Sequence, residues 1–114
     1  MSLKPLSEWQ DCRIRRIPGL LQHDPACCAE NLAGLLQLSV ARLQRLFKDQ
    51  TGDSLSHYLA EHRLQGAALL LASNETLIKN IAFRAGYRHS SSFARAFLLR
   101  FSEYPMAYRN RIHK

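Results

Sequence analysis

Four residues at helical spacing carry the chemistry that the sequence offers. Ala41, Gln44, Arg45 and Lys48 stand at i, i+3, i+4 and i+7, so on a helix they share one face. In the major groove a Gln can pair with adenine through two hydrogen bonds, and an Arg with guanine in the same way. A Lys reaches a phosphate or a guanine. A small Ala lets the helix approach closely, and its methyl can meet a thymine methyl. Taken alone, such a stripe is equally the solvated side of any helix, because Gln, Arg and Lys are ordinary surface residues. Adding 50 to the numbers gives a second stripe: Ser91, Ala94, Arg95 and Leu98. Arg recurs at the same place, while Lys48 gives way to Leu98. Ser90, Ser91 and Ser92 precede the body of that second helix, where they can cap it and offer hydroxyls to phosphate or bases.

Other chemistries find little support. The sequence has no nucleophile paired with a base, no paired carboxylates and no Gly-rich phosphate loop, so neither an enzyme nor a cofactor site is expected. His23, His57, His62, His89 and His113 form no zinc pattern. Cys12, Cys27 and Cys28 make no C-x-x-C, and an odd count leaves one unpaired under any disulfide scheme. Adjacent Cys27 and Cys28 read as buried or partly buried thiols, and no metal is expected. Phe93, Phe97 and Phe101 recur at i, i+4 and i+8, which is a core stripe and not a base-stacking platform. Trp9 reads as an anchor for the N-terminal segment.

Charge narrows the partner. Sixteen Lys and Arg against nine Asp and Glu give a net charge of +7, and the pI is near 9.8. From Arg84 onward the bases are Arg84, Arg88, Arg95, Arg100, Arg109, Arg111 and Lys114, and Glu103 is the only acid. A small basic domain attracts polyanions, nucleic acid before membranes or acidic proteins. The 46% apolar and 22% charged content indicates a folded chain and not a disordered tail. The longest apolar stretch, 66–72, is far too short to span a bilayer. Met1-Ser-Leu-Lys-Pro-Leu6 is no signal segment, so a cytoplasmic location without membrane contact is expected.

The elements that must hold these side chains read as helices. Residues 1–24 are an N-terminal segment broken at Pro5, Pro18-Gly19 and Asp24-Pro25, with 12–17 open between strand and short helix. Asp24-Pro25 suggests an N-cap followed by Pro at the first helical position. Leu32, Leu35 and Leu36 are expected to face inward. Ser39 is placed to cap the next helix, in which Leu43, Leu46 and Phe47 face inward, and Gly52 ends it. Ser54 is placed to cap a helix running to about Ala72, with Leu55, Tyr58, Leu59, Ala67, Leu70 and Leu71 inward. At 1.5 Å per residue it spans about 28 Å. A helix over roughly 77–84 then ends at Gly86, another begins at Ser90 or Ser91, and Pro105 opens the last.

An internal repeat organises these helices. Leu32-Ala33 matches Ile81-Ala82 at an offset of 49, whereas Leu43-x-Arg45-x-Phe47 matches Phe93-x-Arg95-x-Phe97, and Tyr58 matches Tyr108, at 50. The extra residue must lie in the turn between the two helices of the unit. A short helix, a tight turn and a second helix form a helix-turn-helix, here present twice. The division expected is a segment over 1–24, a first helix-turn-helix over 25–53, a linker helix over 54–73 and a second helix-turn-helix with a C-terminal helix over 74–114. The first unit carries the richer base-reading set; the second is poorer in base contacts but richer in surrounding charge.

The run of motifs from 30 to 110 resembles the DNA-binding domain of AraC/XylS-type transcriptional regulators. It comprises Leu32-Ala33, Ser39-x-x-x-Leu43-x-Arg45-x-Phe47-Lys48, Thr51-Gly52-x-Ser54, Tyr58-Leu59, Arg63-Leu64-x-x-Ala67-x-x-Leu70 and Ile78-x-x-Ile81-Ala82. It continues through Gly86-Tyr87, Ser92-Phe93-x-Arg95-x-Phe97, Phe101, Pro105 and Tyr108-Arg109. The resemblance implies an all-α, homeodomain-like fold of about seven helices, two helix-turn-helix subdomains joined by a long linker helix. It implies a bacterial transcription factor that reads asymmetric double-stranded DNA sites as a monomer, with Ala41, Gln44 and Arg45, and residues around Ser90, Ser91 and Arg95, in the major groove. Ala94 joins the base-reading set from the stripe; Ser39, Lys48, Ser90, Ser92, Arg88 and Arg100 are the expected phosphate contacts or caps. RNA polymerase is a candidate second partner, and no stretch here supplies the separate sensor domain that most relatives carry. Five positions depart from the pattern. Gln37 and Ser102 stand where Gly is common, Pro18-Gly19 interrupts the first helix, and Leu98 replaces a Lys. The competing reading is a basic helical module that binds an acidic protein.

Overall fold

The computed structural model describes residues 3–24, 27–73 and 77–112. Among these there are eight α-helices and no strand, preceded by a 3-10 turn over Leu6–Glu8. The helices are α1 (Cys12–Arg15), α2 (Ile17–His23), α3 (Ala29–Leu36), α4 (Val40–Thr51), α5 (Leu55–Ser73), α6 (Ile78–Arg84), α7 (Ser90–Phe101) and α8 (Pro105–Ile112). The stretch 12–17 left open by the sequence is helical. Pro18 has no N–H to continue the ladder of α1, and the chain breaks at Arg16 before restarting with Pro in the first turn of α2. Counted as one broken helix, α1 and α2 bring the total to the seven expected.

The chain divides into two compact units, Met1–Ala60 and Glu61–Lys114, and the division falls within α5. Each has its own core. In the first, Ile14, Ile17, Leu21, Leu32, Leu36, Leu43, Phe47 and Leu55 are buried together. Trp9 packs edge-on against Phe47 and Tyr58, at 5.8 and 6.2 Å between ring centroids. Its indole N–H donates to the Lys4 carbonyl, and the Gln50 side-chain oxygen accepts from the amides of Gln10 and Asp11. The N-terminal segment is thereby fastened to α4, and Trp9 is the anchor expected of it. In the second unit Leu64, Ala67, Leu71, Ile81, Ala82, Phe93 and Phe97 form the core. Phe97 and Phe101 also pack on Tyr108 of α8.

Two expectations are corrected. Leu35 does not face inward: Leu32, Ala33 and Leu36 fill the buried side of α3, and Leu35 is 56% exposed. Nor does Asp24 cap the next helix. Asp24 closes α2, and α3 begins at Ala29 behind Cys28 without a side-chain cap; Pro25 itself lies outside the described residues, as do Asn74, His113 and Lys114. Cys27 is buried and Cys28 half-buried.

Candidate nucleic-acid interface

Each unit leads into its longer surface helix, α4 or α7, in the same way. α3 ends with Gln37 in the left-handed region, φ 58°. The Gln37 amide donates to the Gly34 carbonyl and the Leu38 amide to the Ala33 carbonyl. α6 ends with Gly86 at φ 91°, its amide donating to Phe83 and that of Tyr87 to Ala82. These are two Schellman closures, 49 residues apart in every member. The helix that follows starts at Val40 in one unit and Ser90 in the other, 50 apart. Tyr87 still matches Leu38, and His89 matches Ser39, so Arg88 is the extra residue required by the repeat. It is exposed in the longer turn.

The insertion changes how α7 begins. In α4 the Ser39 hydroxyl accepts from the Arg42 amide at 3.2 Å, an N-cap as expected. In α7 the N-cap is His89, with no side-chain bond to the helix. Ser90 and Ser92 are therefore not caps: they lie inside the helix, because the register puts histidine where the first unit has serine. Both remain exposed, as does Ser91. α4 and α7 end alike, in left-handed residues 50 apart: Gly52 (φ 82°), bonded to the Lys48 carbonyl, and Ser102 (φ 62°), bonded to that of Leu98. Gln37 and Ser102 thus occupy the two seats where glycine would be free of Cβ crowding, at a cost of about 1 kcal/mol each.

With Leu43 and Phe47 fully buried, the far side of α4 presents Ala41, Gln44, Arg45 and Lys48, all exposed. With Phe93 and Phe97 fully buried, α7 presents Ser91 and Arg95, exposed, and Ala94 and Leu98, half-buried. The six expected base-reading residues are brought onto two equivalent helix faces, three on each. Arg88 is exposed beside α7. Arg100 is engaged elsewhere, its guanidinium bound to the Glu61 carboxylate at 2.5–2.6 Å and stacked over Phe101 at 4.8 Å.

Two groups were not singled out from the sequence. Lys79 and Asn80 of α6 line an open cleft of about 490 Å³ with Phe83, Tyr87, Arg88, His89, Ser90 and Ser91. The clue was available in the repeat: Lys79 matches Glu30, a reversal of charge at one place in the unit. Where α4 gives way to α5, Thr51 and Asp53 are buried. The Thr51 hydroxyl donates to the Phe47 carbonyl and accepts from the Asp53 amide, and the Asp53 carboxylate accepts from the Ser54 amide and His57 Nδ1. Burial raises the affinity of this carboxylate for its proton, but the bonds from His57 and Ser54 and the nearby His57 and Lys48 charges outweigh it, and its pKa lies below the ordinary value. Ser54 also caps α5, accepting from the His57 amide.

This architecture is shared with known proteins. A family model described as a helix-turn-helix domain matches residues 32–111. The HTH-type transcriptional activator RhaR of Mannheimia succiniciproducens is 41% identical over 78 residues, 68% of this chain and 28% of that protein. RhaR of Yersinia pseudotuberculosis is 41% identical over 75 residues, 66% of this chain and 26% of that protein. The chain thus spans little more than a quarter of these curated relatives. Among solved structures, the C-terminal domain of AraT, a response regulator from Geobacillus stearothermophilus, superposes with a TM-score of 0.80 at 32% identity, covering 89% of this chain and 86% of that one. The DNA-binding domain of AdpA, solved in complex with a target DNA, has the same fold, with a TM-score of 0.76 at 24% identity over 90% and 93% of the two chains. The chain belongs to the AraC/XylS-type family of transcriptional-regulator DNA-binding domains. Among the described residues no helix is long and apolar enough to cross a membrane.

Proposed function

We propose that this chain binds double-stranded DNA sequence-specifically for a transcription regulator, with α4 and α7 in successive major grooves. The observation that carries the reading is the pair Arg45 and Arg95. Each is exposed, each lies opposite a buried pair of its own helix, Leu43 and Phe47 or Phe93 and Phe97, and each is held by a helix-turn-helix of the same construction. Successive major grooves on one side of a duplex are about 34 Å apart. The 19 residues of α5, the linker of this reading, make a helix about 28 Å long. The assignment of 1–24 as an N-terminal segment, 25–53 and 74–114 as the two readers and 54–73 as linker follows from this reading.

Within it, Ala41, Gln44 and Arg45 read bases in the first half-site, and Ser91, Ala94 and Arg95 in the second. Ser39, Lys48, Arg88, Ser90 and Ser92 face phosphate. Arg100 reaches a phosphate only by leaving Glu61, so its share is the smallest. Being a DNA-binding module, the chain is assigned no catalytic role. RNA polymerase is proposed as a second partner because the RhaR relatives are named as activators, and the cytoplasm as the place of action.

Salt titration of duplex binding tests the reading. With about six phosphates neutralised, log K falls against log salt with a slope near −5. An affinity that ignores salt contradicts it. Competition with random duplex at low salt separates it from a module that binds only acidic protein, which would leave that duplex free.

A further inference from the structure

We propose that Leu99 makes the second reading helix a thymine reader, with the thymine methyl about two base pairs from the base that Arg95 contacts. The proposal rests on the DNA-binding reading above and adds a specificity-determining residue to it. Ser91, Arg95 and Leu99 stand at i, i+4 and i+8 on the side of α7 opposite the buried Phe93 and Phe97. Leu99 is 81% exposed, the most exposed large apolar side chain among the described residues. A single exposed leucine is ordinary on any surface; its place on this stripe is not. The matching residue of the first unit is Asp49, and the half-buried Leu98 beside it matches Lys48. The second unit has therefore replaced a charged pair by two branched alkyl groups at one turn of its reading helix.

Chemistry then selects the base. A leucine side chain has no hydrogen-bonding group, so it gains nothing from phosphate oxygens or from the polar edges of guanine, adenine and cytosine. The C5 methyl of thymine is the apolar feature of the major-groove edge. Four residues of helix advance about 6 Å, close to two steps of about 3.4 Å along the duplex, which sets the distance from the Arg95 contact. Asp49 cannot make this contact, so the preference belongs to the second half-site alone.

Selection from randomised duplexes with the 114-residue chain first supplies a bound sequence. Each thymine of it is then replaced singly by deoxyuridine, which removes the methyl and leaves the hydrogen-bonding edge intact. Binding is measured for the unaltered chain, for Leu99→Ala and for Leu99→Met. One deoxyuridine position in the second half-site should weaken the unaltered chain about fourfold, the weight of one apolar methyl. Leu99→Ala should lose a similar factor on the thymine duplex and nothing more on the deoxyuridine duplex. Leu99→Met should keep the methyl effect. An unchanged thermal midpoint would establish that these surface variants are folded. Indifference of the unaltered chain to every deoxyuridine, or an equal methyl effect in Leu99→Ala, overturns the proposal while leaving DNA binding in place. Failure to enrich any duplex over random DNA removes both.

Discussion

The two units share a scaffold and differ in what they place on it. On α3 the outward residues are Glu30, Asn31, Gly34 and Leu35; the matching residues of α6 are Lys79, Asn80, Phe83 and Arg84. An acid has become a base, and the empty space beside Gly34, where a Cβ would meet nothing, is matched by a phenyl ring 77% exposed. The reading helices differ in the opposite sense. α4 carries Gln44, Arg45 and Lys48, whereas α7 keeps only Arg95 of that polar set. On the proposed reading, the first unit discriminates bases, and the second attracts the backbone and discriminates less. The buried positions, by contrast, barely change: Leu32-Ala33 answers Ile81-Ala82, and Leu43 and Phe47 answer Phe93 and Phe97. Packing fixes the interior of a duplicated fold and leaves its surface free to diverge.

Separate cores make the largest expected effect. Phe47→Ala and Phe97→Ala should each cost about 3–5 kcal/mol, and amide hydrogen exchange should accelerate mainly in the unit that carries the change. Equal acceleration in both units would mean that the cores do not fold as separate bodies.

Next come the guanidinium groups. Arg45→Ala should cost about 1–3 kcal/mol on the preferred site and flatten base preference in the first half-site. Arg95→Ala should cost less, and its loss should be more even across sequences. A larger, sequence-dependent loss at Arg95 would reverse the assignment of roles.

The Asp53 cluster belongs to the first unit alone, since Glu103, its match in the second, binds Arg111. Asp53→Ala leaves the Ser54 amide and His57 without their acceptor and should cost about 1–3 kcal/mol at neutral pH. Because the folded pKa of Asp53 is lowered, its contribution is complete above the unfolded pKa, about 3.9. It is lost as pH falls through the folded value. Denaturation of the two proteins across the acid range should therefore converge. A constant gap down to the lowest pH would show that ionisation of Asp53 plays no part.

The left-handed seats give the smallest and most symmetric comparison. Gln37→Gly and Ser102→Gly should each stabilise by about 1 kcal/mol, and Gly86→Ala and Gly52→Ala should destabilise by a similar amount. His89→Ser, which gives α7 the cap that Ser39 gives α4, should add about 1 kcal/mol. Thermal or urea unfolding measures all five. No gain at Gln37 would mean that its side chain repays the strain.

Much of this was legible in the sequence because it depends on local rules. The apolar period gave α4 and α7, the one-residue difference in offset located a longer second turn, and Ser39, Ser54 and Gly52 announced their caps and stop. The departures at Gln37 and Ser102 pointed to the two non-glycine residues found at positive φ among the described residues. The misreadings arose where a local rule competes with another. Asp24-Pro25 has the form of a helix start, yet Asp24 ends the preceding helix. A serine triplet looks like a cap, but Arg88 displaces it by one place. Leu35 fits an apolar period whose buried side Ala33 fills. The Arg100–Glu61 pair joins residues 39 apart in the chain, which no periodicity reports.

The central claim is that two equivalent faces, led by Arg45 and Arg95, read one bipartite site with unequal stringency. Selection from a randomised duplex pool followed by sequencing tests it directly. The account predicts two conserved blocks about one helical turn, 10–10.5 base pairs, apart, with more information in the block whose conservation Arg45→Ala erases. A single block, equal information in both, or no enrichment at all would contradict it.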